Sequence, residues 1–82
     1  MEISKTTLNM AEKRNIELCE CFDNELHIII NPEENDCACV AYQLSEDKKQ
    51  YNLLKVWDNT YSYPEVIRDE KALRNLIKHM SK

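Results

Sequence analysis

The residues best suited to chemistry are four cysteines set as two Cys-x-Cys pairs, Cys19-Glu20-Cys21 and Cys37-Ala38-Cys39. Four thiolates form the donor set of a structural zinc site, but the paired ligands of such sites are normally two to four residues apart. Here a single residue separates each pair, and the chain contains no glycine to build a tight knuckle. Both pairs fall in segments that read as strands, where alternate residues share a face with Cα atoms about 7 Å apart, a poor fit to one ion. The expectation is that the cysteines act as small apolar residues, as reduced cysteines commonly do, and that no cofactor is bound. A zinc-stabilised module on Cys19, Cys21, Cys37 and Cys39 is the alternative, and a disulfide is a third reading.

Catalytic groups are sparse. The absence of glycine excludes Walker-type and dinucleotide-type phosphate loops, which need it at fixed positions. His27 and His79 are the only histidines. If Asp23-Asn24 forms a two-residue hairpin loop, Cys21 faces Leu26, Cys19 faces Ile28 and Glu20 faces His27. The cysteines then lie on the face opposite His27, which leaves the imidazole without a nucleophile beside it. A non-enzyme is expected; a small enzyme or enzyme subunit using Glu20 and His27 is the weaker alternative. The acidic run Glu33-Glu34-Asn35-Asp36 lacks the spaced ligands and the glycine of a calcium loop and reads as a solvated turn.

Aromatic residues concentrate elsewhere. Trp57, Tyr61 and Tyr63 fall within ten residues, flanked by Asp58 and Glu65. Tryptophan and tyrosine dominate binding hot spots because they bring large rigid area with a polar handle. Trp57, Asp58, Tyr61, Tyr63 and Glu65 are thus the candidate partner-binding set. The competing reading has Trp57 closing the core and the tyrosines packing over a helix.

Charge narrows the partner. Eleven basic against fifteen acidic residues give a net charge of -4, which disfavours direct binding to a nucleic-acid backbone and suits a protein partner with a basic surface. The longest apolar run, Ile28-Ile29-Ile30, is far short of a membrane span, and the polar opening Met1–Lys5 is unlike a secretory signal. A cytoplasmic protein is expected, and no membrane association.

The elements that must position these residues read as one α+β domain over residues 1–82 in the order α-β-β-β-β-α. Ser4 is a helix N-cap, with Ile3 and Leu8 as a hydrophobic staple and Asn15 as the stop. Ile16–Phe22 and Leu26–Ile30 form a hairpin, Cys37–Leu44 and Gln50–Trp57 are two more strands, and short connections make an antiparallel meander. The last segment is a helix capped at Asp69, with Leu73, Leu76, Ile77 and Met80 on one stripe; a break precedes it near Ile67–Asp69. In this register Cys19, Cys21, Leu26, Ile28 and Ile30 face the core, joined by Cys37, Cys39 and Ala41. A one-residue slip of the third strand places Ala38, Val40, Tyr42 and Leu44 inside instead. Without the slip, the other sheet face is apolar through Leu18, Phe22, Ile29, Val40, Tyr42 and Leu44, and an uncovered apolar face asks for a partner.

No motif identifies a family. The expected function is a small acidic, non-catalytic protein-binding module acting as inhibitor, adaptor or regulator. Size and acidity associate it with phage and mobile-element proteins of the anti-CRISPR or anti-restriction type, which block a host nuclease or defence factor. A homodimer through an exposed sheet edge or face is the alternative occupant.

Overall fold

The computed structural model describes residues 2–34 and 38–80. Helix α1 (Lys5–Lys13) begins where the sequence predicts: Ser4 is extended and its hydroxyl accepts a hydrogen bond from the Thr7 amide. Arg14 caps the other end, and Asn15 turns left-handed at φ 60° to leave the helix. Strands β1 (Ile16–Cys21), β2 (Glu25–Ile30), β3 (Val40–Leu44), β4 (Tyr51–Val56) and β5 (Val66–Ile67) follow, and helix α2 (Glu70–Met80) closes the described chain. The strands form one sheet in sequence order, every neighbouring pair antiparallel. The α+β meander with a helix at each end is thus as expected. The sheet has a fifth strand, because Val66 and Ile67 pair with Asn52 and Tyr51 where the sequence predicts only a break.

The hairpin register differs from expectation by one residue. Phe22 leaves the ladder and joins Asp23 and Asn24 in a 3-10 turn, so Cys21 lies opposite Glu25, Cys19 opposite His27 and Glu20 opposite Leu26. A shift of one reverses every side chain. Leu18, Leu26 and Ile28 face the helices, while Cys19, Cys21 and His27 face away. In β3, Tyr42 pairs with Leu26 and Val40 with Ile28, so the slipped arrangement of the third strand is the one formed. Leu18, Val40, Tyr42 and Leu44 therefore belong to the core side and not to an uncovered second face.

The absence of glycine leaves left-handed positions to other residues. Among the described residues these are Asn15, Asp23, Asn24, Asn31 and Lys48. Four of the five are Asn or Asp, whose short polar side chains tolerate that region best.

The core lies between the sheet and the two helices. Leu26, Ile28, Val40, Tyr42, Ile67, Leu73 and Ile77 are fully buried, with Met80 and Ala11 nearly so. The predicted α2 stripe of Leu73, Leu76, Ile77 and Met80 is buried in full, and Asp69 caps the helix by accepting the Ala72 amide at 2.8 Å. Leu8 of the predicted staple is 37% exposed, and a polar tie joins the starts of the two helices. The Glu70 carboxylate accepts hydrogen bonds from the Ser4 amide at 2.6 Å and the Thr7 hydroxyl at 2.7 Å. One carboxylate at the start of α2 thus fills donors left open in the first turn of α1.

Hydrogen bonding to Ser4, by side chain and then backbone, and to Thr7 lowers the Glu70 carboxyl to about 2, with Arg74 adding a smaller pull. The ordinary value is 4.5. The contact therefore contributes stability above pH 4.5 that is lost as pH falls toward 2. The urea midpoint of the wild type is expected to drop across that window, and Glu70→Gln to flatten the drop; equal slopes in the two proteins would contradict this tie. A second comparison probes the core. The buried Tyr42 hydroxyl donates to the Pro64 carbonyl at 2.7 Å, whereas the Tyr63 hydroxyl is buried without a partner among the described residues. Tyr42→Phe is expected to cost about 1 kcal/mol and Tyr63→Phe to be neutral or stabilising by urea denaturation.

Candidate functional site

Both helices cover one face of the sheet, so the other face is the larger free surface. Alternation of side chains places Cys19 and Cys21 of β1, His27 and Ile29 of β2, Ala41 and Gln43 of β3, and Lys55 of β4 on it. Cys19, His27, Ala41 and Lys55 form one row across four strands. Ala41 is fully buried although it lies on the helix-free face, between His27 and Lys55 in the row. The register shift between Ala41 and Tyr42 in the β3–β4 pair matters here. It leaves Leu54 as the extra residue, 50% exposed, and returns Lys55 to the helix-free face.

Trp57 stands next to that row. Its amide donates to the Cys39 carbonyl at 2.9 Å, which holds the backbone to β3 just beyond the end of β4. Its ring is 5.7 Å from the His27 ring, and the Lys55 ammonium sits 5.3 Å from its centre, within range of a cation–π contact. The His27 imidazole is in turn 3.0 Å from the Glu25 carboxylate. Trp57 is nevertheless 46% exposed. It is a large ring oriented by its neighbours on a rigid sheet and still open to solvent.

The rest of the candidate partner-binding set lies elsewhere. Tyr61 and Tyr63 pack against the core, with ring centres 6.4 Å apart. Tyr61 also lies 6.2 Å from the His79 ring, late in α2. Burial pushes the Tyr63 hydroxyl up to about 12, with smaller contributions from Cys39, Asp58 and Tyr61. The Asp58 carboxyl is lowered, chiefly by hydrogen bonds from the side chain and backbone of Thr60, and so serves its own turn. Glu65 is exposed, and its carbonyl accepts the Leu53 amide. The aromatic segment thus divides: Trp57 is presented outward and the tyrosines are structural.

The cysteines also divide. The Cys19 and Cys21 sulfurs converge to 3.3 Å on the helix-free face, closer than the Cα spacing of a strand suggests. Hydrogen bonding to Cys19, burial and the charges of Cys19 and Glu25 raise the Cys21 thiol. Cys39 is buried in the core cluster. Cys37 lies outside the described residues, as do Asn35 and Asp36 of the acidic run. Among the described residues no three His, Cys, Asp or Glu are placed to share a metal ion.

The predicted Glu20–His27 pair does not form, because the shifted register puts the two on opposite faces. His27 instead pairs with Glu25 on its own strand, and the row partner it gains is Cys19. The Cys19 thiol contacts Cys21 and the His27 imidazole contacts Glu25.

A basic groove of about 750 Å³ between the helices escaped sequence reading. Lys13 and Arg14 are adjacent in the chain, and only the packing of α2 against α1 brings Arg74 and Lys78 beside them. Within the described residues no helix is long and apolar enough to cross a membrane. Comparison with protein-family models, curated proteins and solved structures returns no match.

The division of the aromatics predicts different costs of truncation. Trp57→Ala is expected to change unfolding free energy by less than about 1 kcal/mol, and Tyr61→Ala to cost about 2 kcal/mol, both by urea denaturation. A reversed order would place Trp57 in the core.

Proposed function

We propose that the protein is a small acidic, non-catalytic protein-binding module that docks a protein with a basic surface through the helix-free face of its sheet. Trp57 is the central contact. The observation that carries this reading is a tryptophan 46% exposed yet held between His27 and Lys55. A rigid, partly desolvated aromatic loses little conformational freedom on binding, which is how interface anchors gain affinity. The net charge of -4 favours encounter with a positive partner. On size and acidity we extend the reading to an inhibitor, adaptor or regulator, with a host nuclease or defence factor as the target class. Nucleic-acid-binding enzymes carry the positive surface that such a module would occupy.

The test compares wild type with Trp57→Ala on immobilised protein, against purified nucleases and defence factors with basic substrate channels. A partner held by the wild type should bind Trp57→Ala at least roughly tenfold more weakly, with the circular dichroism spectrum unchanged, and should bind more weakly as salt rises. Undiminished binding by the folded variant would contradict the reading. So would a wild-type dimer in native mass spectrometry that Trp57→Ala splits, because a second copy would then fill the face.

A further inference from the structure

Cys19 and Cys21 occupy alternate positions of an edge strand, point to the same helix-free face and bring their sulfurs within 3.3 Å. That separation has chemical meaning. A disulfide bond is about 2.05 Å long, and a tetrahedral zinc with bonds of about 2.3 Å spreads its sulfurs to roughly 3.8 Å. The pair is closer than zinc requires and is in hydrogen-bond contact as two thiols. Both side chains are only partly buried, so a small molecule can reach them.

The strand also lies at the edge of the sheet. Among the described residues β1 pairs with β2 alone, so no second ladder there holds its outer side. Cys21 is its last residue, and the turn that follows holds Asp23 and Asn24 in the left-handed region. Two residues of strand span about 6.4–6.8 Å between Cα atoms, the outer limit of the range that disulfides bridge. A slight pucker at the last residue of β1 is enough to close the bond, and the tension left in it makes it easy to reopen.

We infer that Cys19 and Cys21 form a dithiol site that exchanges with low-molecular-weight disulfides of the glutathione class and closes reversibly to an intrachain disulfide. Cys19 attacks first as its thiolate, forming a mixed disulfide and releasing one small thiolate, which takes up the proton that Cys19 lost. Cys21 then attacks the Cys19 sulfur and releases the second small thiol. Two Cys S–H bonds and one small-molecule S–S bond break; one Cys19–Cys21 bond and two small-molecule S–H bonds form. The protein pair is oxidised by two electrons and the small disulfide is reduced by two. The order follows from the geometry around Cys21: its thiol donates to the Cys19 carbonyl at 3.7 Å and it stands opposite Glu25 in the ladder, contacts that favour its protonated form and raise it, whereas the thiolate is the nucleophile. This chemistry does not depend on Trp57 having a partner.

The experiment treats the folded, reduced full chain with glutathione disulfide, quenches with acid and digests with a protease that cuts after glutamate. Cleavage after Glu20 separates Cys19 from Cys21, so their peptides stay joined only through a disulfide. The expected product is the joined pair, two hydrogens lighter than the sum of the two free peptides and parted by reductant. Cys19→Ser and Cys21→Ser should each instead accumulate glutathione on the remaining thiol, at least tenfold above the wild-type level. Stable glutathione on both cysteines of the wild type would overturn the inference. So would pairing of either with Cys37 or Cys39, or reaction no faster than that of the urea-unfolded chain.

Discussion

The hairpin turn at Phe22–Asn24 sets the facing of the whole sheet. Side chains alternate along a strand, so a turn of three residues instead of two exchanges the faces of β1 relative to β2. Here it puts Leu18, Leu26 and Ile28 toward the helices and Cys19, Cys21 and His27 away from them. The β2–β3 ladder then carries the choice on, bringing Val40 and Tyr42 into the core and Ala41 to the outer face. The turn is made without glycine, by Asp23 and Asn24 at positive φ.

With the facing set, two helices suffice to cover one side. The Glu70 carboxylate fixes the start of α2 to the first turn of α1, so the two helices pack as one layer. The layer leaves the second face open, and that face is not a smooth apolar surface: one exposed tryptophan stands among a histidine, a lysine, a carboxylate and two thiols. A mixed face of this kind is compatible with a monomer in water and with a selective partner. A wholly apolar face would favour indiscriminate association.

Much of the architecture is legible in the sequence because it depends on local signals. The Ser4 and Asp69 caps, the Asn15 stop and the α2 stripe were each visible as residue types at fixed spacing, and each forms. Register was the part that local signals could not decide. Whether Phe22 belongs to strand or turn changes nothing in propensity but moves Cys19 to the other side of the sheet. The candidate site inherited that ambiguity. Trp57, Tyr61 and Tyr63 are equivalent in a composition window, and only tertiary packing separates the exposed ring from the half-buried ones. The Cys19–Cys21 contact depends on rotamers that converge, and the basic groove depends on helix packing between residues some sixty positions apart; neither leaves a trace in residue spacing.

Cys19, Cys21 and Trp57 share the open face, while Cys39 is inside. Thiol labelling of the native, reduced protein at neutral pH tests this arrangement most directly, read by peptide mass after a denaturing quench. The structure predicts that Cys19 and Cys21 react with iodoacetamide at rates within about an order of magnitude of the unfolded chain, Cys21 the slower, while Cys39 is protected until the protein unfolds. Protection of Cys19 and Cys21 as strong as that of Cys39 would mean that the hairpin has the other register, with the β1 face assigned here to solvent turned into the core.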